Sequence, residues 1–208
     1  MKRLNSLFLF GALGLASLAS AVPVSGTIFT DGFAAAAAGG TQLGVTTAGN
    51  FKATQNNVDL ISVTGAFGNL CPAGFTACVD LDGTGAGNAN EQAVISSGSL
   101  YFGTGQYELT FDMASTQRGV TGQTTVSLGS LLDESFTDPQ PGETSILINV
   151  SSPTTAALEF QSDTPGEIGD ILAAASIVAV PEPSSALLMS LPLLGIGALA
   201  YRRSKVRA

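Results

Sequence analysis

The chain has 208 residues, a formal net charge of −8 and neither histidine nor tryptophan. The absence of histidine excludes serine–histidine triads and histidine metal sites. Between residues 22 and 180 only Lys52 and Arg118 are basic, against 15 acidic residues, a formal charge of −13. So acidic a stretch repels phosphate backbones, and no nucleic-acid partner is expected. The charge fits either solubility outside the cell or cation binding.

The N-terminus has the three parts of a secretory signal peptide. Lys2 and Arg3 give a positive start, residues 7–18 form an apolar run, and Ala19 and Ala21 stand at A-x-A spacing. A run of 12 residues is shorter than the roughly 20 needed to span a bilayer. The pattern therefore predicts a signal peptide over residues 1–21, cleaved after Ala21.

The body of the chain, residues 22–179, is long enough for one domain and reads as all-β. Residues 24–29 could form a first strand, and the alanine run 34–38 predicts a short helix or a flexible lead-in. From residue 58 onward, apolar and polar residues alternate, which is typical of half-buried strands. The alternating segments read "QYELTFD", "TTVSLGS", "TSILINV" and "AALEFQS". Turn residues separate them, so we predict an antiparallel sandwich or barrel.

Two cysteines, Cys71 and Cys78, lie seven residues apart in "CPAGFTAC". In an exported protein, a close pair of this kind predicts a disulfide. A redox-active pair would need C-x-x-C spacing in a βαβ setting, which the sequence does not contain.

The segment "DLDGTGAGNANE" that follows has the oxygen ligands of a calcium loop at positions 1, 3, 5, 9 and 12. It departs from a helix–loop–helix site because Gly87 stands where an aliphatic residue is usual, and because no helix pattern precedes it. Calcium binding and a plain glycine-rich turn both remain open. The predicted ligands are Asp80, Asp82, Thr84, Asn88 and Glu91.

Catalysis has little support, since no constellation of acids and bases stands out. Asp133 and Glu134 are adjacent, which points them to opposite faces of a strand. Sugar binding would draw on aromatic platforms, and the body offers Tyr101 and Tyr107. Tyr107 alternates in phase with apolar neighbours and is predicted to lie in the core, whereas Tyr101 could be exposed or could be another packed strand residue.

The C-terminus reads "AVPEPSSALLMSLPLLGIGALAYRRSKVRA". A proline–glutamate–proline triplet, a short apolar segment and a basic tail follow one another here, and together they resemble the PEP-CTERM sorting signal. The resemblance covers about the last 30 residues. The sorting motif comprises Val180, Pro181, Glu182 and Pro183. The apolar segment spans residues 186–201, and the basic cluster comprises Arg202, Arg203, Lys205 and Arg207.

The resemblance implies that residues 180–208 are a sorting signal, with residues 186–201 as an apolar membrane-spanning helix. Its partners would be the export machinery and an exosortase, the membrane enzyme that processes such tails at the triplet. The inner membrane would hold the protein only transiently before it reaches the outer surface or the exopolysaccharide matrix. Sixteen helical residues span about 24 Å, slightly short of a bilayer core. An ordinary C-terminal anchor is the alternative.

The body also resembles a known domain, over residues 58–180. In order, "CVDLDGTG", "TGQYELTFDMASTQRG", "TTVSLG", "ALEFQSDT" and "GDILAAASIVAVPEP" are similar to the jelly-roll domain that precedes many PEP-CTERM tails. That domain is similar to carbohydrate-binding sandwiches. This chain departs from it in the last strand, where Ala173 and Ala174 replace the usual Asp and Asn.

Three functions follow, in order of preference. The first is a non-enzymatic exported protein, sorted by its tail, with a jelly-roll body flanked by the signal peptide and the apolar helix. The second is a carbohydrate-binding module that engages exopolysaccharide. The third is an enzyme that acts on polysaccharide. An exposed aromatic strip would favour the second, and a buried carboxylate pair in a cleft would favour the third.

Overall fold

A computed structural model describes residues 26–84, 92–116, 118–164 and 168–181. Their regular structure is almost entirely β, with two short 3₁₀ helices at Ala36–Gly39 and Gly68–Leu70. The strands are β1 (Gly26–Asp31), β2 (Gln42–Val45), β3 (Thr47–Ala48), β4 (Phe51–Gln55), β5 (Val58–Ser62), β6 (Ala77–Asp80), β7 (Val94–Ser96), β8 (Leu100–Phe102), β9 (Gly105–Ala114), β10 (Gln123–Leu128), β11 (Asp133–Thr137), β12 (Gly142–Val150), β13 (Thr154–Ala156), β14 (Leu158–Ser162) and β15 (Ile171–Val180).

The strands form two main antiparallel sheets. The seven-stranded sheet has the order β12-β9-β15-β6-β5-β2, with β1 also beside β15, and the six-stranded sheet has the order β11-β10-β14-β7-β4-β3. β8 and β13 form a separate two-stranded ribbon. The predicted all-β, jelly-roll-like sandwich is confirmed for the described residues. The predicted signal peptide 1–21 and apolar segment 186–201 lie outside them.

The core lies between the two sheets and follows from the alternation in the sequence. On β9, Tyr107, Leu109, Phe111 and Met113 are buried, and the residues between them are only partly so. The inward rings form a chain of contacts that runs from one sheet to the other. Its members, in order of contact, are Phe29, Phe51, Phe160, Phe111 and Phe136.

The first third of the body is more structured than the alternation predicts. Residues 42–55 contribute three short strands. Glycines and a register shift in the β2–β5 pair interrupt these strands, so no period of two is visible in the sequence there. The alanine run gives only one 3₁₀ turn, because no side chain caps it and Gly40 ends it at a φ of 99°. Among the described residues, no helix is long and apolar enough to cross a membrane.

A second, smaller core lies on the outer side of the seven-stranded sheet. Ile61, Leu70, Cys78, Ala114 and Ile171 belong to it, and residues 63–76 cover it. The predicted disulfide between Cys71 and Cys78 is present at its edge, with the two Cα atoms 5.4 Å apart. The bridge therefore ties the covering segment to β6.

Candidate functional site

A depression opens on the outer face of the seven-stranded sheet, where β15 changes neighbours. Ile171 and Leu172 pair with β6, whereas residues from Ala175 onward pair with β1. In the described part of the chain, residues 173 and 174 pair with neither strand. The β9–β15 register also shifts between Leu172 and Ala174. The change of neighbour, the bulge and the small side chain of Ala174 together leave an open space.

The depression has a volume of about 210 Å³. Its polar lining consists of three hydroxyl groups and three carboxyl groups, and Phe111, Ala174 and Ala175 supply the rest. Its lining residues are Thr30, Asp31, Thr110, Phe111, Asp112, Glu143, Ala174, Ala175 and Ser176.

Asp31 is held in place by the neighbouring loop. Its carboxylate accepts hydrogen bonds from the backbone N–H groups of Phe33, at 2.9 Å, and Asn50. Gly49 makes this possible, because its φ is 59° and a Cβ there would collide with the Asp31 carboxylate. Asp31 therefore presents a preorganised negative charge at one wall of the depression.

Asp112 and Glu143 form the opposite wall. They face each other directly across β9 and β12, a placement in which like charges destabilise a sheet. Within the described residues, neither carboxylate accepts a hydrogen bond or pairs with a base. Beside them, the hydroxyls of Thr110 and Ser176 lie 2.7 Å apart and share a hydrogen bond. The carboxylates of Asp112 and Glu143 are therefore hydrogen-bond acceptors for which the described residues supply no donor.

No positive charge lies in this lining. Arg118 forms an ion pair with Asp80, with Nη2 2.9 Å from Oδ2, and its guanidinium lies 6.0 Å from the centre of the Phe67 ring. Lys52 is exposed on β4, in the other sheet. The field at the depression is negative, so it favours neutral or cationic ligands over anionic ones.

The predicted calcium ligands are only partly described. Asn88 and Glu91 lie outside the described residues, whereas Asp80, the last residue of β6, and Asp82, just after it, are buried. Asp80 Oδ1 accepts hydrogen bonds from the backbone N–H groups of Asp82 and Gly169, and the Thr84 hydroxyl donates to Asp59 at 2.7 Å. Within the described ranges, no group of three or more acidic or cysteine side chains is placed to hold a metal ion. Calcium binding stays a prediction.

Two buried aspartates have raised pKa values. Burial raises the pKa of Asp80 to about 7, although Arg118 and the backbone N–H groups of Asp82 and Gly169 oppose it. Burial also raises the pKa of Asp170 to about 6, against the hydrogen bond that it accepts from the Thr124 hydroxyl at 2.8 Å. Asp170 lies between the sheets, so its contact with Thr124 joins β15 to β10.

The structure confirms that Tyr107 lies in the core, and it exposes Tyr101, for which the sequence left both exposure and packing open. Tyr107 is buried and donates its hydroxyl to the carbonyl oxygen of Gly103 at 3.0 Å, whereas Tyr101 is 64% exposed on β8. Asp133 and Glu134 are both exposed on β11. Of the sorting motif, Val180 ends β15 and Pro181 follows it exposed, and Glu182 and Pro183 lie outside the described residues.

Sequence reasoning missed the residues of the depression. Thr110 and Asp112 stand at the outward positions of "QYELTFD", and Ser176 follows the alanine run of the last strand. Their alternation marks them as outward-facing. Only the pairing of β9 with β12 and β15 shows that they meet.

No protein-family model matches the chain, and no curated protein matches it. Among solved structures, it is similar to a family 6 carbohydrate-binding module of a Cellvibrio mixtus lichenase in complex with cellotriose, at 12% identity over 75% of this chain and 100% of that one, with a TM-score of 0.38. It is also similar to a xylan-binding domain of a Paenibacillus barcinonensis protein, at 12% identity over 74% and 99%, with a TM-score of 0.39.

A third similar structure is the C-terminal family 6 carbohydrate-binding module of a Zobellia galactanivorans laminarinase. The identity is 18% over 51% of this chain and 83% of that one, with a TM-score of 0.34.

The raised pKa values predict that stability falls as pH rises. Asp80 and Asp170 bind protons more tightly in the folded state than in the unfolded chain, whose aspartates titrate near pH 3.8. The folded state therefore holds extra protons from about pH 4 to pH 6 or 7. Over that window we expect the free energy of unfolding to decrease by up to about 1.4 kcal/mol per pH unit for each group, and to level off above it.

Urea denaturation at pH 4.5, 6 and 7.5 with a chelator present measures this dependence. Asp170→Asn should flatten the curve, and the exposed control Asp133→Asn should not. Stability that rose steadily across this range would contradict the assignment.

Proposed function

We propose that the body is a non-enzymatic carbohydrate-binding domain of an exported protein. The observation that carries the proposal is the depression on the seven-stranded sheet, where carboxylates and hydroxyls line a space with no basic group. Sugar hydroxyls are hydrogen-bond donors, and carboxylates accept them in short, strong bonds. Few convergent polar groups in a concave surface are what a small-ligand site requires. The proposal depends on this lining and not on the likeness to carbohydrate-binding modules.

The negative charge of the depression favours a neutral glycan over an anionic one as the ligand. Asp31, Asp112 and Glu143 would repel the carboxylates of a polyuronate, whereas a neutral sugar can donate to all three. Phe111 belongs to the lining, but its ring is buried in the core, where it packs edge to face on Phe136 and Phe160. Orientation would therefore come from hydrogen bonds and shape more than from stacking on an exposed ring.

Filling the depression should abolish binding without changing its charge. Ala174→Leu places three further carbon atoms in the space, and we expect at least a tenfold loss of affinity for a neutral oligosaccharide, about 1.4 kcal/mol. The matched control is Val178→Leu, which enlarges an outward side chain on the same strand, opposite Glu108 and away from the depression. Titration calorimetry with neutral glucan, xylan and galactan oligomers, and with an oligouronate, measures both variants.

Equal loss of binding in both variants, or no binding of any glycan by the wild-type chain, would contradict the proposal.

The same incubations test the enzymatic alternative, because Asp112 and Glu143 are a facing carboxylate pair. Release of shorter sugars by the wild type but not by Glu143→Gln would favour catalysis over binding.

We also propose that the protein is exported and sorted by an exosortase through its tail. Three features support this: the signal-peptide pattern, the PEP triplet with its apolar and basic segments, and the disulfide, which is typical of oxidising compartments. β15 ends at Val180 and Pro181 follows it exposed. The triplet would therefore begin where the sheet stops, within reach of a membrane enzyme.

Replacing the triplet should block processing and leave the body intact. In a variant with Pro181→Ala, Glu182→Ala and Pro183→Ala, we expect full-length protein to accumulate in the inner membrane. Truncation after Pro183 should instead release a soluble form. Cell fractionation with an epitope tag in the body measures both. If the triple variant matured and reached the surface like the wild type, the tail would be an ordinary anchor.

Calcium binding by residues 80–91 remains a proposal, supported by the spacing of Asp80, Asp82, Thr84, Asn88 and Glu91. We expect calcium at a hundredfold excess over its dissociation constant to stabilise the fold by about 2.7 kcal/mol. The resulting rise in melting temperature should disappear in Asp82→Asn combined with Glu91→Gln. Magnesium at the same concentration is the control. No calcium effect on the wild type would remove the proposal.

A further inference from the structure

The ends of the two main sheets differ in how well they are protected against pairing with another chain. β2 has four residues and a register shift against β5, and β3 has only two residues. β11 carries Asp133 and Glu134, and charges on an edge discourage pairing. Each of these three edges therefore has a feature that limits further strand addition.

β12 is longer and more regular than these three edges and carries a single charge. It pairs with β9 over nine consecutive residues, Gly142–Val150, without a register shift. It contains no proline and no lysine, and Glu143 is its only charged residue. In the described part of the chain, no strand pairs with its other side. β12 is thus a long, regular edge that presents its free backbone groups to a partner.

Apolar side chains accompany this edge. Leu147 is 56% exposed on its outer face. On the inner face, Ile146 is only partly buried against the core, and so is Phe136 of β11, which lies on the same side of the sandwich and packs on Phe111 of β9. A partner that added a strand to β12 would cover part of this surface.

We propose that the partner is a second copy of this chain, paired antiparallel through β12 with a two-fold axis at Ile146. In that register, Ser145 faces Leu147 of the other copy, and Glu143 faces Asn149. No like charges are opposed, although the chain is strongly acidic. The two seven-stranded sheets would become one continuous sheet, because antiparallel pairing about such an axis keeps both outer faces on the same side.

The dimer would have a consequence for the depression. Glu143 belongs both to β12 and to the lining, so each depression lies close to the shared edge. From strand spacing and rise, the two would lie roughly 20–30 Å apart on one face. Given the proposed glycan function, a single polysaccharide chain could then engage both copies and gain avidity.

The first test measures mass and needs no glycan. Light scattering of the purified full chain, with increasing concentration, should show a shift from one copy to two. Ser145→Lys with Leu147→Lys should remain a monomer, because each new lysine would face one on the other copy. Within its own chain, each new lysine also lies near the carboxylate of Glu108, to which Ser145 of the wild type donates a hydrogen bond at 2.6 Å. Leu43→Lys, which replaces a leucine of similar exposure on β2, should dimerise like the wild type.

The second test fixes the register. Ser145→Cys and Leu147→Cys chains, mixed and then oxidised, should form a disulfide-linked dimer severalfold more readily than either variant alone. A wild-type chain that stays monomeric, or a double-lysine variant that still dimerises, would overturn the proposal. Equal cross-linking in the mixture and in the separate variants would overturn the register. A dimer without any gain in affinity for long glycans would contradict only the avidity consequence and leave glycan binding by each copy intact.

Discussion

The two sheets are held face to face by a chain of five phenylalanine rings. Phe29 contacts Phe51 with ring centres 4.9 Å apart, and the contacts continue through Phe160 and Phe111 to Phe136 at 5.4 to 5.8 Å. All are close to perpendicular, which is the favourable edge-to-face arrangement. Because this series of rings begins with Phe29 on β1 and ends with Phe136 on β11, it fixes how the strands of one sheet lie over those of the other.

The depression depends on this arrangement. β1 pairs with β15 and is anchored across the core by the contact of Phe29 with Phe51, and it supplies Thr30 and Asp31 to the lining. Phe111 also belongs to the lining, and its ring packs in the core against the rings of Phe136 and Phe160. A close-packed aromatic core thus lies beneath a polar surface, and the strands that carry the lining groups are fixed to it.

The sequence predicted the features that depend on local pattern. Alternation identified the strands β9, β10, β12 and β14 and placed Tyr107 in the core, because a period of two decides which face a side chain takes. The depression could not be predicted in this way. The depression depends on Glu143 facing Asp112, on the bulge in β15, and on the change of the strand beside β15 from β6 to β1. All three features arise from the pairing of strands that are distant in sequence. The short strands at residues 42–55 were missed because pairing, and not hydrophobic pattern, defines them.

The scarcity of positive charge has a consequence for how proteases can attack the body. Between residues 22 and 180, trypsin-like proteases can cleave only after Lys52 and Arg118. Lys52 lies within β4, whose backbone is paired with β3 and β7. Arg118 is engaged with buried Asp80 and lies over the ring of Phe67. Either side chain would first have to leave these contacts to enter a protease, so we expect the folded body to resist this class of protease.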